Sequence, residues 1–168
     1  MKNNKGFSLI ELVVVIALMA IIAGVSSYIG SIVTKQELKD FTNNLDAMLC
    51  QCKVETMSGM SDPALVISVE GDVYKATLYK NYNSSSRTVV KSQYLGEDYL
   101  TCKYYYKDNR NTESRDVSAL RPVVFSYDRN TGELLNQTSV KLEVGYKERF
   151  GAYSIEFVPQ TGYHKIVK

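Results

Sequence analysis

The chain has 168 residues, a length that fits one modest domain with an appendage, and its formal net charge is +2. Lys2 and Lys5 supply this excess, so without the first six residues the 18 remaining basic side chains would match the 18 acidic ones. A nearly neutral chain lacks the basic excess with which proteins grip the phosphate backbone, which argues against a nucleic acid partner.

A long apolar segment follows a short polar leader at the amino terminus. Between Lys5 and Lys35 the single charged residue is Glu11. Residues 7–33 are therefore long enough for a helix that crosses a bilayer, which needs about 20 mostly apolar residues. Basic residues ahead of such a segment predict an amino terminus in the cytoplasm and the bulk of the chain outside it.

Three interpretations of this segment treat Glu11 differently. A secretory signal peptide has a shorter apolar core and a small-residue cleavage site, and this segment has neither. An ordinary membrane anchor explains the length but leaves an acidic side chain near hydrocarbon, which costs about 2.5–3.5 kcal/mol. A charge is rarely kept there without a partner, so Glu11 indicates a segment that does more than anchor the chain.

The third interpretation rests on a motif. The basic leader, the run Lys5-Gly-Phe-Ser-Leu-Ile-Glu11 and the apolar residues up to Gly24 resemble the class III signal of type IV pilins and pseudopilins. This resemblance implies that a prepilin peptidase cuts between Gly6 and Phe7, that Phe7 is then N-methylated, and that Glu11 acts in assembly. It also implies the partners: other subunits of a helical filament, the peptidase/methyltransferase, an assembly platform in the inner membrane, and the lipid bilayer before assembly.

Electrostatics is consistent with the implied role of Glu11. Removal of the leader, residues 1–6, would expose a cationic amine at Phe7. An anion in a low-dielectric setting needs a counter-charge. In a staggered bundle of helices, the Phe7 amine of one subunit can neutralise Glu11 of another and so fix the axial register. The alternative is a Glu11 side chain that simply reaches the membrane face.

Beyond residue 33 the apolar pattern becomes one-sided, with steps of three and four that are typical of an amphipathic helix. No proline precedes Pro63, so nothing forces a break. We expect one helix over residues 8–57, whose amphipathic half, residues 34–58, packs on an antiparallel sheet. Such a plan is the pilin fold that the resemblance implies. The apolar stripe consists of Leu38, Phe41, Leu45, Met48, Leu49 and Cys52.

Residues 59–168 predict a β-rich globular domain, which places the whole chain in the α+β class. After Pro63 the apolar period turns toward two, and β-branched and aromatic residues become frequent. Gly71-Asp72 is a good two-residue hairpin turn, a second turn is expected at residues 96–98, and residues 107–115 read as a polar loop. The predicted strands cover residues 65–70, 73–80, 88–95, 99–106, 123–127, 133–135, 140–144, 153–158 and 164–167.

The three cysteines leave at least one thiol without a partner in the same chain. Cys50 and Cys52 point in different directions on a helix, so no bridge is expected between them. A disulfide of Cys102 with Cys52 or Cys50 stays open, and of these the Cys52–Cys102 pair is the candidate. The other interpretation is that the cysteines are buried thiols that act as small apolar groups.

No cofactor or metal is expected from the remaining residues. His164 is the only histidine, and no cysteine or second histidine stands at metal-ligand spacing from it. Asp128, Asn130 and Glu133 lack the spacing of a strong calcium loop and favour a plain turn. No serine lies in a nucleophile motif, so the chain is not expected to be an enzyme.

These features predict a structural and assembly subunit that is held in the cytoplasmic membrane before assembly and lies in an extracytoplasmic, cell-surface filament afterwards. A type IV pilus minor pilin is favoured; the alternatives are a type II secretion pseudopilin and a competence pseudopilus subunit. The minor role rests on residues 123–132 and 157–163, which resemble the strand-then-x-x-G hairpins of H-type minor pseudopilins. A membrane-anchored extracytoplasmic enzyme or binding domain, with an uncut leader, is the alternative from another class.

Overall fold

A computed structural model describes residues 9–97, 99–108, 111–136, 138–146 and 152–167, and it describes the side chains of helix α1 outside residues 25–34. The protein is α+β. The chain divides into two compact units, Met1–Gln36 and Glu37–Lys168. The described residues contain the helix α1 (Leu9–Met57) and nine strands: β1 (Ala64–Glu70), β2 (Val73–Lys80), β3 (Thr88–Glu97), β4 (Leu100–Asp108), β5 (Asn111–Asp116), β6 (Val123–Phe125), β7 (Ser139–Tyr146), β8 (Tyr153–Val158) and β9 (Tyr163–Val167).

Helix α1 ends where the sequence predicts it. Gly59 adopts a φ of 102°, a conformation that glycine reaches without the steric cost of a Cβ atom. The amide of Ser58 donates to the carbonyl of Val54 at 2.8 Å, and the amide of Met60 donates to the carbonyl of Glu55 at 3.0 Å. These bonds satisfy the last carbonyls of the helix, which is why the chain can turn there into the β-rich part.

The second half of α1 contributes directly to the core of the second unit. Side chains from the helix and from both sheets form one buried cluster, in which Phe41, Leu65 and Leu142 are fully buried. The six residues of the predicted apolar stripe are each at most 1% exposed. They are Leu38, Phe41, Leu45, Met48, Leu49 and Cys52.

The strands form two antiparallel sheets, where the sequence suggested one. A four-stranded sheet has the order β3-β2-β1-β6, and a five-stranded sheet has the order β5-β4-β7-β8-β9. The inward side of β4 follows the predicted alternation, because Leu100, Cys102 and Tyr104 are buried and Tyr106 packs against the core. Strands β2 and β8 have the predicted bounds.

The turn predicted at residues 96–98 is wrong. Gly96 and Glu97 continue β3, where they lie opposite Tyr74 and Val73 of β2; residue 98 lies outside the described residues. The strand that follows, β4, pairs with β5 and β7 in the other sheet. The chain therefore crosses from one sheet to the other at this point. The predicted turn assumed that two strands adjacent in sequence pair as a hairpin, and β3 and β4 do not pair.

The polar loop predicted over residues 107–115 is also wrong. Strand β4 runs to Asp108, and β5 pairs with it so that Asp108 lies opposite Asn111 and Lys107 opposite Thr112. Strand β5 is at the edge of its sheet, and its side chains are mostly exposed. Backbone hydrogen bonds to β4 hold such a strand without an apolar face, so its sequence carries no period-two signal.

Candidate functional site

Glu11 lies in the first turn of helix α1, and its side chain is exposed. Gly6 and Phe7, between which cleavage is predicted, lie outside the described residues. The structure therefore places Glu11 on an exposed face of α1, and the roles of Glu11, Gly6 and Phe7 stay predictions.

The amino-terminal part of α1 presents a continuous apolar surface. Its large apolar side chains between Leu9 and Ile22 are all between 43 and 81% exposed. Soluble proteins rarely leave a patch of this kind uncovered, so it calls for contact with lipid or with other protein. These side chains belong to Leu9, Ile10, Leu12, Val13, Val14, Val15, Ile16, Leu18, Met19, Ile21 and Ile22.

Within the described parts of the chain, no helix combines the length and the apolarity that a membrane span requires. The membrane-spanning role of residues 7–33 stays a prediction from the sequence.

The two glycine turns of the H-type resemblance meet in the second unit. Gly132 and Gly162 have φ values of 70° and 58°. A Cβ atom on Gly162 would collide with the carbonyl oxygen of Gly132, so the two turns are in backbone contact. The amide of Leu134 donates to the carbonyl of Pro159 at 2.9 Å between the same two segments. Segments that the sequence shows as separate are thus one structural feature.

The Asp128 side chain organises the first of these turns. Its Oδ1 atom accepts hydrogen bonds from the backbone amides of Asn130 and Thr131, at 2.9 and 2.8 Å, and from the Thr131 hydroxyl at 3.0 Å. These bonds favour the charged carboxylate and lower the pKa of Asp128. The carboxylate therefore serves the loop itself, in agreement with the turn that the sequence favours over a calcium loop.

Of the two interpretations that the sequence left open, the structure has buried thiols and no Cys52–Cys102 disulfide, because both residues are free. Both side chains are fully buried, and burial raises the pKa of each thiol to about 12. The Cys52 sulfur lies 3.9 Å from the Phe125 carbonyl oxygen. The two cysteines therefore behave as small apolar groups of the core.

One cluster of chemically active side chains escaped the sequence analysis. The Nε2 atom of His164, on β9, lies 3.2 Å from Oδ1 of Asp46 and 3.6 Å from the sulfur of Cys50, and Asp46 and Cys50 are one turn apart on α1. The His164 side chain is 5% exposed. The sequence shows that Asp46 and Cys50 are four residues apart and so share one helix face. No feature of the sequence indicates that His164 lies next to them.

Tyr127 lies close to Gly162, two residues before His164. Its hydroxyl is buried and has no hydrogen-bond partner among the described residues. Burial raises the pKa of Tyr127, and the charges of Cys52, Cys50 and Asp46 raise it further. The Nδ1 atom of His164 is likewise buried without a partner in the described part of the chain. Two unsatisfied polar atoms therefore accompany the group formed by Asp46, Cys50 and His164.

Comparison with known proteins bears on the amino-terminal segment. Residues 1–27 match the family model described as the prokaryotic N-terminal methylation motif. No curated protein and no solved structure matches the chain. The matched residues include Gly6, Phe7 and Glu11, on which the processing and assembly predictions rest. The chain therefore begins with the class III signal of type IV pilins and pseudopilins.

Proposed function

We propose that this protein is a structural subunit of a type IV pilus or a related filament, and that it carries out no reaction of its own. The observation that carries the proposal is the methylation motif over residues 1–27. The precursor is cut between Gly6 and Phe7, and the mature chain assembles through its amino-terminal helix. Before assembly, residues 7–33 hold the chain in the cytoplasmic membrane.

The exposed apolar surface of α1 supports this role. The side chains of Leu9 and Ile10 are more than two-thirds exposed. An apolar surface of this kind needs a covering of lipid or of other protein. Lipid covers them before assembly, and neighbouring helices of the filament core replace the lipid afterwards. Glu11 then finds its counter-charge in the Phe7 amine of an adjacent subunit, which sets the axial register between subunits.

The second unit has the architecture that a filament subunit needs on its outer face. The part of α1 from Glu37 onward packs its apolar side chains against two antiparallel sheets, and we assign this arrangement to the pilin fold with an amphipathic second half of the helix. In this role the β-rich part makes lateral contacts between subunits.

A minor pilin is our first choice within this class. The paired turns at Gly132 and Gly162 support it, because both belong to hairpins that resemble those of H-type minor pseudopilins. A type II secretion pseudopilin or a competence pseudopilus subunit uses the same processing and assembly. These systems are distinguished by deleting this gene and measuring pilus number, protein secretion and DNA uptake in the same strain.

The test of the proposal has two parts. Mass spectrometry of the native protein is expected to find a chain that starts at N-methylated Phe7. Sheared filaments from cells with Glu11→Leu are expected to contain much less of this protein than filaments from the parent, because the buried amine of a neighbour loses its partner. Lys39→Leu, at an exposed position of the second unit, is the control for membrane levels. If the native chain instead keeps Met1, and cells with Glu11→Leu behave as the parent does, the protein is a membrane-anchored domain and not a filament subunit.

A further inference from the structure

We propose that Asp46, Cys50 and His164 bind one Zn²⁺ ion, which ties strand β9 to helix α1. The site lies wholly in the second unit, and it is independent of the processing and assembly functions of the amino-terminal segment.

The distances between the ligand atoms fit tetrahedral zinc. Zinc binds imidazole nitrogen and carboxylate oxygen at about 2.0–2.2 Å and thiolate sulfur at about 2.3 Å, so neighbouring N and O ligands lie about 3.4 Å apart and N and S ligands about 3.6 Å apart. Here Nε2 of His164 is 3.2 Å from Oδ1 of Asp46 and 3.6 Å from the Cys50 sulfur. The three ligand atoms lie within 4.8 Å of one another, so small rotations of the exposed Cys50 side chain complete the geometry.

The donor set selects the metal. One sulfur, one nitrogen and one oxygen suit a borderline ion such as Zn²⁺, whereas calcium and magnesium prefer oxygen ligands alone. Three protein ligands leave the fourth position of a tetrahedral ion for an exogenous ligand. Cys50 is exposed and Asp46 is 33% exposed, so an ion can enter from solvent.

The His164 ring is poorly satisfied by the protein groups around it. With its proton on Nδ1, the ring can accept at Nε2 from the Cys50 thiol, and with its proton on Nε2 it can donate to Asp46. In neither tautomer does Nδ1 have a partner among the described residues. The tautomer with its proton on Nδ1 leaves the Nε2 lone pair, which faces Asp46 and Cys50, available to a metal ion.

Tyr127 is a second and independent observation. The residue is 4% exposed, and its hydroxyl is buried without a hydrogen-bond partner among the described residues. The Tyr127 ring lies close to Gly162, two residues before His164, because a Cβ atom on Gly162 would stand 3.1 Å from its Cδ1 atom. Tyr127 and His164 thus give this end of β9 two buried polar atoms without partners in the described part of the chain.

The ion would act on the edge of the five-stranded sheet. Strand β9 is an edge strand that pairs with β8 alone, and Cys50 and His164 are 114 residues apart in sequence. The unfolded chain does not hold these ligands together, so an ion that bridges β9 and the helix binds the folded state and its binding is coupled to folding. Zinc is therefore expected to raise the stability of the second unit.

The experiment uses the full chain in detergent micelles, with Co²⁺ as a spectroscopic probe and Zn²⁺ as the competing ion. We expect one Co²⁺ per chain, a thiolate-to-cobalt charge-transfer band, loss of that band on addition of one equivalent of Zn²⁺, and a higher melting temperature with Zn²⁺. Cys50→Ala should abolish the band, and His164→Gln and Asp46→Asn should weaken Zn²⁺ binding about tenfold or more.

The matched control is Cys52→Ala, two residues away on the same helix but outside the site. It should keep the band, and circular dichroism of each metal-free variant checks that it is folded. If Cys50→Ala keeps the band, or if the parent binds no ion in a ratio near one per chain, the site is not a zinc site. A variant that is unfolded without metal is replaced by Cys50→Ser, which is read in the same way.

Discussion

The Oε2 atom of Glu37 accepts a 2.7 Å hydrogen bond from the hydroxyl of Tyr146. The hydroxyl of Tyr99 donates to the same oxygen at 3.0 Å, and the two tyrosine rings are stacked with their centroids 5.7 Å apart. Tyr99 lies just before β4, and Tyr146 is the last residue of β7. One carboxylate, at the start of the second unit, therefore ties the helix to β7 and to the residue that precedes β4 in the five-stranded sheet.

Substitution of Glu37 by alanine is expected to lower the free energy of unfolding by about 1–2 kcal/mol, because two hydrogen bonds to a charged acceptor are lost. Lys39→Ala, at an exposed position two residues away, is the control and should change this energy by less than about 0.5 kcal/mol. Urea denaturation of the three proteins measures both values. Equal effects of the two substitutions would show that the Glu37 interactions contribute nothing net.

The raised pKa of Tyr99 leads to a prediction of how stability changes at alkaline pH. Burial and the hydrogen bond to Glu37 raise the pKa of Tyr99 from its ordinary value of 10.0. The folded state then holds the proton more tightly than the unfolded state, so this contribution is complete below pH 10 and is lost as the pH rises above it. Tyr99→Phe should lose stability less steeply than the parent above pH 10 in urea denaturation. Tyr163→Phe, at a 57% exposed tyrosine, is the control; parallel curves for the parent and Tyr99→Phe would contradict the prediction.

Gly162 and Gly71 form a matched pair for the contact between turns. Both have positive φ, 58° and 65°, so alanine at either position costs about 1–2 kcal/mol of backbone strain. A Cβ atom on Gly71 meets open space, whereas one on Gly162 meets the carbonyl oxygen of Gly132. Gly162→Ala is therefore expected to lower the free energy of unfolding by at least about 2 kcal/mol more than Gly71→Ala. Thermal and urea unfolding of the two variants provide the comparison, and similar losses would mean that the turns do not touch in solution.

The lowered pKa of Asp128 leads to a prediction of how stability changes at acidic pH. Its hydrogen bonds from Asn130 and Thr131 lower its pKa below the ordinary value of 3.8. The contribution of its charge is therefore fully present above pH 3.8 and is lost as the pH falls through the lower folded-state pKa. Asp128→Ala should have a lower melting temperature than the parent at pH 7, and the difference should shrink in acid. Asp128→Asn, which keeps an acceptor oxygen without the charge, should fall between them; a difference that is the same at pH 7 and pH 2.5 would count against this account.

The sequence alone was sufficient for the features that depend on neighbours along the chain. The leader, Phe7, Glu11 and the apolar run form a signal that is recognised as a linear stretch of residues, and it was confirmed by the motif match. The burial of the six stripe residues follows from local periodicity, since side chains three or four apart share one face of a helix. The end of α1 at Met57 follows from the glycine at position 59.

Tertiary structure alone decided what depends on contacts between distant segments. The division into two sheets, the pairing of the polar strand β5 with β4, the absence of a Cys52–Cys102 bridge and the meeting of Asp46 and Cys50 with His164 have no local signal. Strand pairing is set by backbone hydrogen bonds that any side chain permits, and the side chains of Cys50 and His164, 114 residues apart, meet only after the core has closed around them.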